Sequence, residues 1–369
     1  MSSRAPGGPL IIGHRGAPGY RPEHSASAYR LAFGLGADAV EPDVVVSRDG
    51  VLVVRHENEI SGTTDVADHP EFADRRTTKV VDGAKHTGWF AEDFTWAELA
   101  TLRCRERLGK LRPDSRAFDG EEPILRLRDV LRIIDEESAA RGRPLGVVVE
   151  VKHAKFLAGE GHDLGALLLA ELAATGWDAR PERLVIESFE LGVLEQLARD
   201  RVRASLVFLT ERFGTPPDEP LPGRPERSYA WYRGDAGLDF LAERVDGISV
   251  AKGNLIRING LGRATGPTDL VSRAHARGLR VFTWTLRPEN RFLNVKHQTS
   301  LRPAEWGDWR SEFGLIFDSG VDGVFLDHPD LGVALRDGSG TGIAPEPGSD
   351  PEPGSDPEPG SDPEAGSVG

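Results

Sequence analysis

The sequence predicts a TIM barrel, a closed (β/α)8 fold, on the strength of three observations. Short runs rich in Val, Ile and Leu alternate with helix-like segments along most of the chain, which is typical of a parallel sheet covered by helices. Eight such runs occur, and eight strands close a barrel of this kind. The chain has 369 residues, a length that α/β barrels commonly use for a single core. We therefore expect one large domain.

The eight candidate strands are short and apolar, and the segments between them often carry apolar residues at helical spacing. The predicted strands are 10–13, 39–46, 146–152, 184–188, 204–209, 247–250, 280–285 and 323–326. The predicted helices are 26–34, 127–141, 164–175, 191–199 and 269–277.

Two stretches interrupt this alternation, and the chain ends in a repeat. Residues 57–123 are polar and irregular, and residues 210–235 are rich in Pro and charge, so we expect both to be excursions from the barrel. From Pro345 the hexad Pro-Glu-Pro-Gly-Ser-Asp recurs, a composition that cannot bury enough apolar surface to fold. The expected organisation is a barrel domain at 1–336, with its insertion region at 57–123, followed by a disordered tail at 337–369.

Composition excludes several classes of function. The formal net charge is -14, and the tail contributes eight acids and no bases, so the rest of the chain is only mildly acidic. Without a long basic face, a nucleic-acid partner is not expected. No apolar stretch approaches the roughly 18 residues of a membrane span. The residues before Leu10 lack a signal-like apolar segment, and Cys104 is the one cysteine, so we expect a cytoplasmic protein.

His14 and Arg15 follow the first predicted strand directly, with Gly13 and Gly16 on either side. In a barrel, the carboxyl ends of the strands form the active face. An ordinary strand-to-helix turn with solvated polar residues is the alternative, because short motifs often occur by chance. Residues on the neighbouring strands are needed to distinguish a functional site from an ordinary turn.

Glu41 and Asp43 lie two residues apart in the second predicted strand, so their side chains are expected on the same face. Two carboxylates held this close need a cation, and oxygen ligands suit a hard divalent ion such as Ca²⁺ or Mg²⁺. Solvated carboxylates, or carboxylates paired with arginine, are the alternative.

A second histidine and a second pair of charges lie at other strand ends. The apolar run 51–54 leads into His56. Alone, His56 would be interpreted as an ordinary loop histidine, but together with His14 it becomes a candidate functional residue. Glu150 and Lys152 share one face of an otherwise apolar strand. Charges in a buried strand demand an explanation, and a structural ion pair is the alternative to a functional one.

Together these strands would bring two histidines, three carboxylates, an arginine and a lysine to one end of the barrel. A bound cation and the basic side chains would neutralise a phosphodiester as its transition state forms. Histidine, with an unperturbed pKa of about 6.5, exchanges protons near neutral pH. The set favours phosphoryl chemistry.

The same residues give a resemblance to a known family. The sequence resembles the glycerophosphodiester phosphodiesterases, whose hallmark is His-Arg, then Glu-x-Asp, then His; these are His14-Arg15, Glu41-Pro42-Asp43 and His56 here. The resemblance runs from about residue 10 to residue 335. It includes Pro22-Glu23-His24-Ser25, Glu150-Val151-Lys152, Ser188-Phe189, Trp284-Thr285 and Gly320-Val321-Asp322-Gly323. Residues 57–123 are similar to the insertion of the larger bacterial members, which would roof the active site.

The resemblance implies a reaction and a role for each site residue. The reaction is metal-dependent cleavage of a small glycerophosphodiester into sn-glycerol 3-phosphate and an alcohol, through a cyclic phosphate or by direct attack of water. By this resemblance, Glu41, Asp43 and Glu150 would bind a divalent cation, Ca²⁺ or Mg²⁺. Arg15 and Lys152 would contact the phosphate. His14 and His56 would serve as acid and base, and Trp284 would form a wall of the glycerol pocket. Core packing is the alternative for the tryptophan.

Two other functions fit the pattern less well. A phospholipase of the phosphoinositide or sphingomyelinase D type shares the barrel and paired histidines, but aromatic loops for lipid entry are sparse here. A non-catalytic phosphodiester-binding barrel is expected to have lost a histidine or a carboxylate, and none is missing. The oligomeric state is left open. The remaining histidines without partner spacing are expected at the surface: His69, His86, His162, His275 and His297.

Overall fold

The computed structural model describes residues 8–338, and a closed barrel of eight parallel strands lies at its centre. The strands are β1 (Leu10–His14), β2 (Ala39–Glu41 and Asp43–Val46), β3 (Gly146–Val151), β4 (Leu184–Ser188), β5 (Ser205–Thr210), β6 (Gly247–Ala251), β7 (Arg280–Leu286) and β8 (Gly323–Leu326). Each pairs in parallel with the next, and β1 pairs with both β2 and β8, which closes the ring. The predicted fold is confirmed.

The second strand is divided at Pro42, where a single strand was predicted. Proline has no backbone N–H and cannot donate to a sheet ladder. Both pieces still pair with β3, and the backbone N–H of Glu150 donates to the Pro42 carbonyl over 3.0 Å. The break therefore leaves the barrel closed.

Apolar side chains fill the inside of the barrel and the layer between sheet and helices. Ile12, Val148, Val185, Val207 and Phe325 lie in one buried cluster to which seven of the eight strands contribute. The barrel is thus a packed core, as expected for this fold. A larger cluster joins the outward strand residues to the surrounding helices.

Four of the five predicted helices have the predicted bounds, and the last is shorter, at Leu270–His275. The α-helices are Ala26–Gly34, Trp96–Leu99, Pro113–Arg116, Leu127–Arg141, Ala154–Gly159, Leu164–Thr175, Leu191–Arg199, Tyr229–Tyr232, Asp235–Ala242, Leu270–His275, Trp309–Asp318 and Pro329–Arg336. The 3-10 turns are Val66–Asp68, Pro70–Arg75, Ala91–Asp93, Pro181–Arg183 and Lys252–Asn254.

The stretch 57–123 is more ordered than its polar composition predicts. It contains a hairpin, Thr77–Val81 with Ala84–Gly88, and it packs Phe72 and Phe94 into a separate apolar cluster that also includes Val45 and Val53. The strand Leu52–Val54 runs antiparallel to Asp43–Val46 and connects this stretch to the barrel. A second hairpin, Ile256–Ile258 with Ala264–Pro267, follows β6.

The predicted disordered tail falls almost wholly on residues 339–369, outside the described part of the chain. Within residues 8–338, no helix is both long enough and apolar enough to cross a membrane.

Candidate active site

A cavity of about 580 Å³ opens at the carboxyl ends of the barrel strands. The predicted site residues that line it are His14, Arg15, Glu41, His56, Glu150, Lys152 and Trp284. Asp43 lies next to the cavity, with its carboxylate in contact with several of them. The structure therefore brings together the whole predicted set, from residues as far apart as 14 and 284.

The end of β1 needs glycine at position 13, immediately before His14. A Cβ on Gly13 would lie 2.5 Å from the Gly16 carbonyl oxygen, a distance that no side chain tolerates. Arg15 has a positive φ of 56°, a conformation that costs non-glycine residues energy. The surrounding contacts hold this conformation, since the Arg15 N–H donates to Glu41 Oε2 over 2.9 Å.

Strand register explains why the carboxylates meet. His14 is level with Glu41, and Asp43 is level with Glu150 on β3. Ligand oxygens of Glu41, Asp43 and Glu150 all lie within 4.8 Å of one another, and the three residues are buried. The spacing is suited to one shared cation.

Two oxygens of this cluster have unused hydrogen-bonding capacity. Glu41 Oε1 and Asp43 Oδ1 are buried without a hydrogen-bond partner among the described residues, which is costly for a carboxylate. The other Asp43 oxygen, Oδ2, is 3.0 Å from His24 Nε2. Buried carboxylate oxygens without a hydrogen bond are the kind of ligand that a hard divalent cation takes, so the residues fit such an ion.

The protonation of the cluster reflects its crowding. Burial and the neighbouring carboxylates raise the pKa of Glu41 well above its usual range, and burial raises the pKa of Glu150 to about 8. Burial acts on Asp43 in the same direction, but Lys152, His56 and Arg15 hold its pKa well below the usual range. A cation bound here would favour the charged forms of all three.

Two cationic side chains border the carboxylates. Lys152 Nζ donates to Glu150 Oε1 over 2.6 Å and lies 3.3 Å from Asp43 Oδ1. Arg15 Nη1 donates to Glu23 Oε1 over 2.9 Å. The predicted Glu150 and Lys152 pair therefore exists as an ion pair, and it also lines the cavity.

His14 is oriented by a carboxylate that the sequence did not reveal. Its Nδ1 lies 2.6 Å from Asp327 Oδ1 at the end of β8, which assigns the proton to Nδ1 and leaves Nε2 as a free acceptor. Burial and the charge of Arg15 lower the pKa of His14 to about 4. The imidazole is therefore neutral near pH 7.

Two arginines hold Asp327 in turn. Arg112 Nη2 donates to Asp327 Oδ2 over 2.7 Å, and Arg287 Nε donates to the same oxygen over 2.5 Å. Arg112 belongs to the stretch 57–123 and also donates to Glu289 Oε1 over 2.7 Å. Although burial opposes it, these arginines keep the pKa of Asp327 well below the usual range, so the carboxylate is charged.

His56 lies at the mouth of the cavity. Its Nδ1 is 2.7 Å from Glu57 Oε1, and the side chain is half-buried. Burial, Arg15 and Lys152 lower the pKa of His56 to about 3. This second imidazole is therefore also neutral near pH 7.

Glu187 is a fourth buried carboxylate that sequence reasoning missed. It is level with Glu150 on the adjacent strand, lines the cavity, and has an Oε2 without a hydrogen-bond partner among residues 8–338. A charge inside the predicted strand 184–188 was the available signal, as it was for Glu150. Burial raises the pKa of Glu187 well above its usual range.

An aromatic wall completes the cavity. The Trp284 ring meets the Phe189 ring edge-on at 5.6 Å, and Phe189 packs on Tyr229 at 6.2 Å. Trp284 is half-buried and lines the cavity. Trp284 is therefore part of the cavity wall as well as of the core packing.

One histidine prediction is wrong. His297 was expected at the surface, but it is buried, because the chain after β7 folds back over it and the Asp308 N–H donates to its carbonyl over 2.7 Å. His86 and His275 are exposed, and His69 and His162 are half-buried.

The closed barrel, the cavity at the carboxyl ends of its strands and the cluster of acids, cations and neutral imidazoles define a (β/α)8-barrel enzyme. The family model for the Glycerophosphoryl diester phosphodiesterase family matches residues 14–331. The chain belongs to this family, and it is a hydrolytic enzyme of the glycerophosphodiester phosphodiesterase class.

Named relatives align with this chain over most of their length. The chain is 32% identical over 331 residues to the glycerophosphodiester phosphodiesterase GDPD6 of Arabidopsis thaliana, covering 86% of this chain and 83% of the relative. It is 24% identical over 351 residues to the glycerophosphodiester phosphodiesterase of Haemophilus influenzae, covering 89% and 90%.

Solved structures share the fold. A phosphodiesterase from Oleispira antarctica, in complex with the product sn-glycerol-3-phosphate, superposes with a TM-score of 0.57 at 19% identity, covering 89% of this chain and 97% of that one. A glycerophosphodiester phosphodiesterase from Agrobacterium tumefaciens gives a TM-score of 0.53 at 19% identity, covering 88% and 99%.

Proposed function

We propose that this enzyme hydrolyses glycerophosphodiesters to sn-glycerol 3-phosphate and an alcohol, and that it needs Ca²⁺ or Mg²⁺. The observation that carries the proposal is the buried cluster of Glu41, Asp43 and Glu150, two of whose oxygens make no hydrogen bond within residues 8–338, beside a cavity lined by two neutral imidazoles. The product named for the Oleispira antarctica phosphodiesterase supports the choice of sn-glycerol 3-phosphate.

In this proposal the three carboxylates hold the cation, and Arg15 and Lys152 contact the phosphate. When bound, the cation supplies positive charge to the oxygens of the reacting phosphoryl group. The two basic side chains are already fixed by ion pairs, so little reorganisation is needed as charge develops. Trp284 forms the wall against which the glycerol packs.

The two histidines divide the proton transfers. We assign His56 as the base that accepts the proton of the attacking hydroxyl or water, since its imidazole is neutral. We assign His14 as the acid. Burial and Arg15 lower its pKa, and an anionic diester bound beside Arg15 would offset that charge and raise the pKa. Attack by a substrate hydroxyl and attack by water use the same pair.

A turnover assay tests the proposed activity. Glycerophosphocholine and glycerophosphoethanolamine should each release sn-glycerol 3-phosphate, measured with a coupled dehydrogenase. EDTA should abolish the activity, and added Ca²⁺ or Mg²⁺ should restore it. Tight binding of either diester without turnover would instead favour the non-catalytic phosphodiester-binding barrel.

Asp327→Asn should lower kcat by roughly 10²-fold with little change in KM, because the amide no longer fixes the His14 proton on Nδ1. Steady-state kinetics with glycerophosphocholine measures the effect. Asp330→Asn is the matched control: it lies three residues away and accepts from Tyr20 outside the cavity. Equal losses in both variants, or a change confined to KM, would contradict the orienting role.

A further inference from the structure

Large exposed apolar side chains occur in the connections that follow the carboxyl ends of barrel strands. Within residues 8–338 they are Val80, Phe213, Ile258, Leu261, Val295, Leu301 and Trp306. All seven lie in segments that follow the carboxyl ends of β2, β5, β6 or β7. Single exposed apolar residues are ordinary on a protein surface, but all seven of these lie on connections of the same type.

The same segments form the mouth of the cavity. Glu211, two residues before Phe213, lines the cavity, and so does Phe292, three residues before Val295. Gly253 lines it from the segment that leads to Ile258. In three of these segments, exposed apolar side chains therefore follow a cavity-lining residue within five positions of sequence.

Basic residues accompany these apolar side chains. Five short sequences, which we call the basic–apolar rim, pair the two types: Arg212-Phe213, Arg257-Ile258, Leu261-Gly262-Arg263, Val295-Lys296 and Leu301-Arg302. The hairpin that follows β6 is the clearest case, since residues 256–267 contain two bases, Arg257 and Arg263, and no acid. These five sequences together contain five bases and no acid, whereas the whole chain carries a net charge of -14.

Most of these cations are not neutralised by the protein. Arg302 pairs with Glu305 over 2.9 Å. The side chains of Arg212, Arg257, Arg263 and Lys296 make no ion pair with any residue in the described part of the chain. Arg257, Ile258, Leu261 and Arg263 are all exposed. The hairpin tip thus presents free positive charge directly beside apolar surface.

We propose that the basic–apolar rim docks the catalytic end of the enzyme on an anionic lipid surface. Apolar side chains enter the boundary between headgroups and acyl chains, and neighbouring Lys and Arg contact the lipid phosphates. A nucleic acid would satisfy the cations but leave Ile258 and Leu261 in water, whereas a lipid surface satisfies both. Docking in this orientation turns the cavity mouth toward the headgroups.

Vesicle sedimentation with the full chain tests the docking. The protein should sediment with vesicles of phosphatidylcholine and phosphatidylglycerol in equal parts, and not with phosphatidylcholine alone. Binding should weaken as salt is added, because exposed charges are screened. The double variants Ile258→Ser/Leu261→Ser and Arg257→Gln/Arg263→Gln should each weaken binding by at least about tenfold. All four positions are exposed, so both variants should keep the melting temperature of the parent.

A matched control removes the same number of charges from the other end of the barrel. Arg199→Gln/Arg203→Gln changes two exposed arginines near the amino end of β5 and should bind vesicles like the parent. All variants should keep the parent kcat/KM for soluble glycerophosphocholine. Because vesicle binding is measured without turnover, its failure is distinguishable from failure of the proposed activity.

Three results would overturn the proposal. The first is a parent chain that does not sediment with the anionic vesicles. The second is an equal loss of binding in the Arg199 and Arg203 control. The third is full binding by the Ile258 and Leu261 variant with loss only in the arginine variant, which would indicate a site for any polyanion, nucleic acid included.

Discussion

Replacing His14 or His56 with alanine is expected to lower kcat by about 10² to 10⁴-fold. Each imidazole is neutral near pH 7, lines the cavity and is the proposed partner for one proton transfer. Loss of either leaves a high-energy oxygen without a proton donor or acceptor. Steady-state and single-turnover kinetics with glycerophosphocholine would measure the loss.

The control for this experiment is His86→Ala. His86 is exposed in the hairpin of the stretch 57–123 and does not line the cavity. Its kcat should equal that of the parent, and all three variants should have the far-UV circular dichroism of the folded chain. A His14 or His56 variant that retains the parent kcat would contradict the proposed acid and base pair.

Asp43→Asn is expected to remove cation binding and to lower kcat/KM by roughly 10³-fold. Asp43 is buried between Glu150 and His24, and its Oδ1 has no hydrogen-bond partner in residues 8–338. The amide lacks the negative charge that would hold a divalent ion beside Lys152. Calorimetric titration with Ca²⁺ and with Mg²⁺ measures binding separately from activity.

Thermal unfolding gives a second readout of the same site. A ligand that binds only the folded state raises the melting temperature, so Ca²⁺ or Mg²⁺ should raise that of the parent and leave that of Asp43→Asn unchanged. Glu243→Gln, an exposed carboxylate away from the cavity, should respond like the parent. A parent chain whose melting temperature is the same in EDTA and in excess cation would rule out a cation site here.

Local patterns predicted the fold well where one segment contained the whole signal. The helix Leu127–Arg141 has buried residues at Leu127, Val130, Leu131 and Ile134, and it ends at Gly142 with a φ of 60°. Its bounds follow from that spacing and from glycine's tolerance of positive φ. Similarly, Glu41 and Asp43 are neighbours in sequence, so their proximity was predictable.

Contacts between distant segments were not predictable in this way. Arg112 meets Asp327 across 215 residues of sequence, and that meeting depends on how the stretch 57–123 packs over the barrel. Nor does composition show which apolar residues remain in water: Leu301 is fully exposed at 100%, whereas Leu293 is buried.

The buried bonds of Arg112 limit how this protein can be re-engineered. Its guanidinium is shared between Glu289 and Asp327, so a deletion or a graft that omits this arginine leaves, among residues 8–338, the buried Glu289 without an ion pair and Asp327 with Arg287 as its one arginine partner. Chimeras that exchange the segment between homologues must carry the arginine and both acceptors together. The stretch 57–123 is thus joined by buried ion pairs to the carboxylate that contacts His14, and it cannot be exchanged as an independent unit.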